Sequence, residues 1–493
     1  MSASNMKKDS LKTNFIFQTL YQAVVLLIPL FLAPYLTRTL GSEKLGIYGY
    51  TTSIAYYFVL FAMLGIAKYG QRYIAQNSST DFELRKSYWS LFSVHAFFSI
   101  LAIILYFITT SLLCDTSYII YLIQGFYVAS ALFDTTWFFY GIENFRSVVY
   151  RNTAVKAVEF ILILLLVKSP SDLWIYTLIC TCSIFLGMLA TFIHAFHIAP
   201  FVKVVKKDIV QHIKPLFLLS LAVLAVSLYT VFDKTLLGFF SIKDDVAYYE
   251  YSDKIVSIPR TITAIIGTVM FPRACRLASQ GLSETRSIFF KYSVFITTAI
   301  GAATFWGLLA ISEEFTILYF GKGFLPCAKL MIAMAPLVTI IGIGDVIRTQ
   351  YLIPNKKDKE YLFGICGSAV INIIISVSLL ISLPQEIKIY GALIGSLSAE
   401  LFGTCYQIYL CRSEVRMVRD IIKPIIITNA MGLIMFILLN SLSCVVSSGI
   451  VHVVISIFVG GICFLFFSLL YGWMFDKDIR QLILEITNSS FAS

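Results

Sequence analysis

The sequence predicts an all-α protein that crosses a membrane many times, and two observations carry this prediction. Hydrophobic residues make up 58% of the 493 positions, charged residues make up 13%, and the mean hydropathy is +0.83. Long segments such as 15–36 and 425–439 contain no charged residue. Because a membrane-spanning helix needs about 20 mostly apolar residues, about fourteen helices fill the chain and leave only short loops. A soluble catalytic domain is therefore excluded.

Hydropathy, together with the positions of proline, glycine and charged residues, divides the chain into fourteen predicted spans. The first six lie at 14–36, 47–67, 88–112, 118–140, 152–168 and 173–193. The next six lie at 215–237, 246–270, 290–310, 327–352, 360–381 and 389–410. The last two lie at 421–440 and 450–475. We read the first span as a retained helix, because its apolar run is too long for the core of a signal peptide.

This order of spans predicts two six-helix lobes and a C-terminal pair. The lobes are residues 1–193 and 215–410, joined by a polar linker at 194–214 that we expect in the cytoplasm. Residues 411–493 hold the last two spans and a cytoplasmic tail. A weak internal echo supports two parallel lobes, since Arg38 to Gly41 is followed by Tyr48 and Tyr50, and Lys234 to Gly238 by Tyr248, Tyr249 and Tyr251. Paired lobes are typical of carriers that rock around a central cavity.

Lysine and arginine alternate between loops as the positive-inside rule requires. The loops on the side of the amino terminus are rich in these residues, as in 68–86, 203–214 and 412–423. The opposite loops carry one or two, and 441–449 carries none. We therefore expect an even number of spans with both termini in the cytoplasm. The net charge of +10 then reflects topology and contact with anionic membrane lipids, without any nucleic-acid partner.

Cysteine and histidine give no sign of a metal, a cofactor or a disulfide framework. The ten cysteines lie mostly in apolar segments and form no CxxC pair. His194 and His197 have helical spacing but no acidic or cysteine companion, so we expect no metal there. Phosphate-loop, HExxH and GxSxG motifs are absent from the sequence. We expect no enzyme, no ATP hydrolysis and no bound cofactor.

Ionisable residues inside predicted spans are the candidate functional residues, because each costs about 2.5–3.5 kcal/mol to insert at the membrane centre. The candidate anion-binding cations are Arg38, Lys156, Lys234, Lys254, Arg260 and Arg348. The candidate ion-coupling acids are Asp134, Asp233, Asp345 and Glu400.

Two interpretations of these charges remain open. In the first interpretation, neighbours at helical spacing are structural pairs that neutralise each other. These pairs are Lys156 with Glu159, Asp345 with Arg348 and Glu250 with Lys254. The other interpretation is a shared, water-filled basic cavity, since six cations are spread over both lobes. Such a cavity suits a pyrophosphate head group, which arginine binds in a forked geometry and lysine as a point charge.

Four segments carry a resemblance to a known family. They are Pro34 to Tyr48, Asp134 to Phe145, Asp233 to Arg273 and Gln350 to Ala392. Within them stand the strings Pro34–Gly41 and Gln350–Asn355, with Trp137, Gly141 and Tyr249 at further positions. These segments resemble the Wzx-like polysaccharide and O-antigen repeat-unit flippases of the multidrug/oligosaccharidyl-lipid/polysaccharide exporter superfamily, and the resemblance covers nearly the whole chain.

The resemblance implies a two-lobed carrier of the superfamily fold in the bacterial cytoplasmic membrane. Its expected substrate is an undecaprenyl-pyrophosphate-linked oligosaccharide repeat unit, moved to the outer leaflet for capsule or O-antigen synthesis. Its expected partners are membrane lipids and the polysaccharide polymerase and chain-length machinery. Arg38, Lys234 and Lys254 match the family's cationic positions, whereas Lys156, Arg260 and Arg348 are added from their depth in the membrane.

Three alternatives remain. A lipid-linked peptidoglycan-precursor flippase shares the expected fold and the basic cavity. A drug/cation antiporter of the same superfamily is disfavoured by six intramembrane cations. A non-transporting scaffold for envelope assembly would use the same charges only as structural pairs.

Overall fold

The computed structural model describes residues 27–112, 117–280, 283–412, 415–443 and 449–475. The regular structure in these ranges is helical and includes no strand. The chain folds into two compact units, Met1–Ala247 and Tyr248–Ser493. Part of the first predicted span and both termini lie outside the described residues.

The first unit holds ten helices in its described part. They are α1 (27–39), α2 (Gly41–Met63), α3 (Ile66–Gln76), α4 (Asp81–Leu112), α5 (Tyr118–Ser130), α6 (Thr136–Gly141), α7 (Phe145–Leu166), α8 (Leu173–Ile198), α9 (Lys206–Val210) and α10 (Ile213–Phe240). The α10 helix, which the lobe scheme assigns to the second lobe, packs on α2 and α3 of this unit. The predicted division at 194–214 stays a prediction.

The second unit holds the remaining described helices, and α11 enters it from the first. They are α11 (Lys243–Ser279), α12 (Ser283–Tyr319), α13 (Pro326–Met334), α14 (Pro336–Ile347), α15 (Asp358–Ser382), α16 (Lys388–Leu410), α17 (Val415–Ser443) and α18 (Ile450–Phe475). The α15 and α16 helices pack against each other, and α12 packs on α14, α17 and α18.

The helices confirm the predicted polytopic membrane class. Ten described segments are long and apolar enough to cross a membrane. The helices α1, α7, α10 and α16 coincide with the other four predicted spans. Each of the fourteen predicted spans thus coincides with one or two helices where the structure describes it, although the count of crossings is approximate.

Three predicted spans are not continuous α-helices, and the span at 47–67 is divided into α2 and α3 at Leu64 and Gly65, which both have positive φ. The span at 118–140 is interrupted by a 3-10 turn, Ala131–Phe133, and by Asp134 in an extended conformation. The span at 327–352 is divided into α13 and α14 at Pro336 and ends in a π-helical turn, Arg348–Leu352. Non-helical backbone at membrane depth is tolerated only where protein or water surrounds it. The interruption at 131–134 and the one at Pro336 therefore mark places that are shielded from lipid.

Hydrogen bonds and an ion pair hold the linker before α10 against the core of the first unit. The Trp89 indole of α4 donates a hydrogen bond to the Ala199 carbonyl over 3.0 Å, and Lys86 pairs with Asp208 at 2.9 Å. The fully buried His212 ring lies 3.0 Å from both the Tyr69 hydroxyl and the Ser90 hydroxyl. These contacts join the segment at 199–212 to α3 and α4.

Glycines of the family-like segments allow close helix packing within the first unit. A Cβ atom on Gly46 would overlap the Lys243 carbonyl, and one on Gly238 would overlap the Tyr50 ring. The Lys243 ammonium lies 3.7 Å from the centre of the Tyr50 ring and donates to the Gly238 carbonyl over 2.6 Å. The strings that carry the resemblance thus include a packing site at which α2, α10 and the start of α11 meet.

Candidate functional site

A charged stripe runs along one face of α11 in the second unit. Lys254 binds Glu250 at 2.9 Å, and Arg260 binds Asp253 at 3.0 Å. Because these residues recur every three or four positions, they share one side of the helix. Their side chains keep between 16% and 34% of their surface exposed. The stripe is therefore open to a ligand even though its charges are paired.

The surroundings of the stripe follow from the composition of α11. In an apolar 18-residue stretch of this helix, 17% of the residues are buried in the protein, the smallest share among the described segments that are able to span a membrane. Pro259 lies inside the helix directly before Arg260, and it has no N–H to donate to the Ile255 carbonyl one turn earlier. Charged side chains at membrane depth face a bundle interior or a water-filled space. We infer that this face of α11 borders water.

A second ion pair of this unit lies at the π-helical turn. The Arg348 guanidinium donates to Asp345 over 2.6 Å and to the Tyr361 hydroxyl over 3.3 Å. Its Nε atom is buried with no hydrogen-bond partner among the described residues. A planar guanidinium with a spare donor is suited to a bidentate anion.

The three cations of the first unit occupy different settings. Arg38 is exposed at the end of α1, where Gly41 with a φ of +77° turns the chain into α2, and it donates to the Pro34 carbonyl over 3.3 Å. Lys156 contacts both oxygens of Glu159 at 2.9 Å. Lys234 is half-buried on α10. The predicted self-neutralising pairs are therefore present, and α11 adds the pair of Arg260 with Asp253 at wider spacing.

The candidate acids other than Asp345 lie in three separate places. Asp134 accepts hydrogen bonds from the Thr136 backbone N–H over 3.0 Å and from its hydroxyl over 2.6 Å, which caps α6. Asp233 is 4% exposed beside Tyr57, where Thr235 of α10 donates to Ser53 of α2 over 3.0 Å. The Oε1 atom of Glu400 on α16 is buried without a hydrogen-bond partner among the described residues.

Within the second unit the structure gathers Lys254 and Arg260 on one helix face, and within the first it leaves Arg38, Lys156 and Lys234 on different helices. A cavity shared by all six cations stays a prediction. Sequence reasoning placed Lys243 in an outer loop, used Tyr50 only in the internal echo and did not single out His95. A spacing rule for cations near aromatic residues would have found Lys243.

In the part of the chain that the structure describes, no group of three or more histidine, cysteine, aspartate or glutamate side chains is arranged to hold a metal ion. None of the cysteines in the described ranges, buried Cys180 and Cys327 included, is part of a disulfide. The charged and imidazole side chains described above are able to bind anions, through arginine and lysine, and protons, through carboxylates and imidazoles.

The family model described as "Polysaccharide biosynthesis protein" matches residues 11–278 of the chain. A protein of Shigella dysenteriae named "Putative O-antigen transporter" is 25% identical over 353 residues, which are 71% of this chain and 88% of that protein. A protein of the same name from Escherichia coli strain K12 is 22% identical over 418 residues, 83% of this chain and 99% of that protein.

The fold is similar to that of a solved flippase. The structure of the "Lipid II flippase MurJ, inward closed conformation" superimposes with a TM-score of 0.74, covering 96% of this chain and 99% of that one at 15% identity. At this identity the likeness concerns the fold alone. The family match, the two transporter relatives and this shared fold confirm the resemblance seen in the sequence, and the chain belongs to the polysaccharide biosynthesis protein family.

Proposed function

We propose that this protein is a flippase that moves undecaprenyl-pyrophosphate-linked oligosaccharide repeat units from the cytoplasmic to the outer leaflet, for capsule or O-antigen synthesis. Family membership and the names of the two O-antigen relatives support the polysaccharide class. The observation that supports a pyrophosphate head group is the stripe of Lys254 and Arg260 on α11, whose side chains are partly exposed and paired with carboxylates.

The stripe suits exchange of one anion for another. A carboxylate bound to each cation neutralises it while no substrate is present, so the resting helix carries no isolated charge. A pyrophosphate has more negative charge and more acceptor oxygens than one carboxylate, so it displaces Glu250 and Asp253 and is released when they return. Arg348 is a further proposed anion-binding residue, and its Nε donor has no hydrogen-bond partner among the described residues. Arg38, Lys234 and Lys156 are the proposed anion-binding residues of the first unit.

In this proposal, the binding of ions supplies the energy for transport. The buried Asp233, the partly buried Asp345 and Glu400, and Asp134 are the proposed ion-coupling residues, because withdrawal of a carboxylate from water makes its charge state depend on its surroundings. The two lobes then expose the substrate to each side in turn. We further propose that both termini face the cytoplasm of a bacterial inner membrane, and that the polysaccharide polymerase and chain-length machinery take up the product.

One rival has a specific observation in its favour. The fold match to the lipid II flippase is compatible with a peptidoglycan precursor as substrate, which also carries an undecaprenyl pyrophosphate. The names of the sequence relatives favour the oligosaccharide instead. The two substrates differ in their sugars, and a measurement of the lipid-linked pool separates them.

The test is mass spectrometry of polyprenol-linked intermediates in cells depleted of this protein, beside cells in which it is restored. We expect a complete oligosaccharide repeat unit to accumulate on its lipid carrier and to fall again on restoration. Accumulation of peptidoglycan precursor would replace the proposal with its rival. An unchanged pool together with altered drug sensitivity would favour an antiporter, and an unchanged pool with displaced envelope proteins would favour a scaffold.

A further inference from the structure

The interrupted fourth span contains a carboxylate at the break itself. The α5 helix ends at Ser130, and the chain passes through Asp134, with φ −72° and ψ 94°, before α6 begins at Thr136. Asp134 holds the start of α6 through one oxygen, Oδ1. A break of this kind frees backbone carbonyls that an unbroken helix would pair, and it gives the carboxylate a position that depends on the local backbone.

A buried histidine of the neighbouring helix faces this break. His95 of α4 is 2% exposed, and neither ring nitrogen has a hydrogen bond of standard geometry to any described residue. The ring interacts electrostatically with the Asp134 carboxylate and with the Ala131 carbonyl, both at the break. The α4 helix packs on α5 and on the 3-10 turn Ala131–Phe133, which places the ring and the break together.

The other groups around His95 do not compete with Asp134. The Phe92 ring lies 6.2 Å away from the His95 ring, centre to centre, and is uncharged. Besides α5 and the 3-10 turn, α2, α3 and α9 pack on α4, and Asp134 is the charged side chain that acts on the ring among the described residues of all these elements. By contrast, His212 is equally buried and has a partner at each nitrogen. His95 is therefore unusual in lacking partners rather than in being buried.

We propose that the break in the fourth span is a proton-binding site, in which His95 takes up the proton and Asp134 supplies the counter-charge. A proton from water binds the free ring nitrogen, and the imidazolium then has two N–H donors for two acceptors, the Asp134 carboxylate and the Ala131 carbonyl. Loss of the proton to water reverses this step, and no other bond is made or broken.

The site links protonation to helix geometry because Asp134 has two competing tasks. In the present structure it caps α6, and as a counter-ion it must approach His95. Burial disfavours an imidazolium and a nearby carboxylate favours it, so the proton is held when the carboxylate moves toward the ring and lost when it returns to the cap. Proton binding itself does not depend on the proposed function. Its use to drive transport rests on that function.

The sequence makes the test direct, since the chain has five histidines. The full-length protein with 15N-labelled histidine is placed in lipid nanodiscs, and ring nitrogen signals are followed from pH 4.5 to 8.5. The His95→Gln variant identifies the His95 signals by their loss. We expect these signals to titrate within this range, and Asp134→Asn to move their midpoint at least one pH unit lower. His212→Gln is the matched control and should leave the His95 midpoint unchanged.

Three results would decide the matter. A His95 ring that stays neutral over the whole range, or a midpoint that Asp134→Asn does not move, would overturn the proposal. If His95→Gln fails to fold, the Asp134→Asn comparison alone still shows whether any of the five rings depends on that carboxylate.

Proteoliposomes then test whether proton binding is coupled to transport. The wild type should flip lipid-linked substrate faster with an imposed proton gradient, and both variants should lose that acceleration. Titration of His95 without any flipping would retain the site and reject the proposed function.

Discussion

Carboxylates accompany Lys156, Lys254, Arg260 and Arg348 within 3.0 Å, and this pairing sets what each of these residues is able to do. The two pairs on α11 are partly exposed, and a pair that faces water contributes little to stability, about 0–1 kcal/mol. The pairs are therefore inexpensive to open, and opening them for a substrate anion is the role that the proposed function gives them.

The pair of Lys254 and Glu250 gives a prediction with opposite signs for its two members. Glu250→Gln removes the competing carboxylate, so apparent affinity for a pyrophosphate-linked lipid should rise about two- to five-fold. Lys254→Gln should weaken the same affinity at least about ten-fold, since a charged hydrogen bond is lost. The measurement is binding of the lipid to protein in nanodiscs. Asp208→Asn, which breaks the remote pair with Lys86, is the control, and equal losses for both stripe variants would mean that the pair is only structural.

His212 predicts an acid-sensitive contribution to stability. Burial lowers the pKa of His212 to about 4, and Asp208 only partly opposes this, while an unfolded histidine has a pKa near 6.5. Between these values the unfolded chain binds more protons, so the stability supplied by neutral His212 is complete above pH 6.5 and falls as the pH drops toward 4.

The variant His212→Gln tests that contribution. At pH 7 it should cost about 1–3 kcal/mol, because the hydroxyls of Tyr69 and Ser90 lose a well-placed partner. The gap in unfolding temperature between wild type and variant should narrow from pH 7 to pH 4.5. His197→Gln, at an exposed position of α8, controls for loss of a histidine. A gap that stays constant with pH would contradict the interpretation.

Helix ends in this protein are set by local sequence, and helix interruptions are set by packing. The predicted spans at 360–381 and 389–410 agree within two residues with α15 and α16, because hydropathy and flanking polar residues act locally. The break at Asp134 was not predicted, because the run at 118–140 is mostly apolar, has Asp134 as its one charged residue and contains no proline. The ion pair of Asp253 with Arg260 depends on side-chain direction, and the place of His95 beside the break depends on a neighbouring helix. Spacing alone gives neither.

The contact of α2 with α11 leads to a prediction about element packing. Gly46→Val places a side chain against the Lys243 carbonyl, and this backbone atom has little freedom to move. We expect a loss of about 1–3 kcal/mol or more from overpacking, seen as a lower unfolding temperature and less protein in the membrane.

The matched control for this substitution is Gly461→Val on α18. No atom lies within 4 Å of the position that its Cβ would take, and the change in helix propensity is the same in both cases. Similar losses for the two variants would mean that the effect comes from propensity rather than from the close approach of α2 to Lys243.

At the scale of the whole molecule, the sequence determines a topology that the helices alone leave undefined. The helix positions show where the chain is able to cross, while the loop charges predict which side each loop faces. Alkaline phosphatase inserted at 384–386 or at 242 should be active, since both positions lie in predicted outer loops. Insertion at 202–204, in the basic linker, should give an inactive enzyme. Activity at 202–204 would reverse the orientation and, with it, the direction of transport.

The fluorescence of Trp137 reports on the surroundings of the interrupted fourth span. Its indole is 1% exposed, stacks on Tyr88 with 5.7 Å between ring centres, and lies against Gly70 only three residues after Asp134. The chain has five tryptophans, so a variant that keeps only Trp137 would emit from this one location. A rearrangement of the break would bring water to the ring and shift its fluorescence to longer wavelength, which gives the protein an internal optical probe of its own conformational cycle.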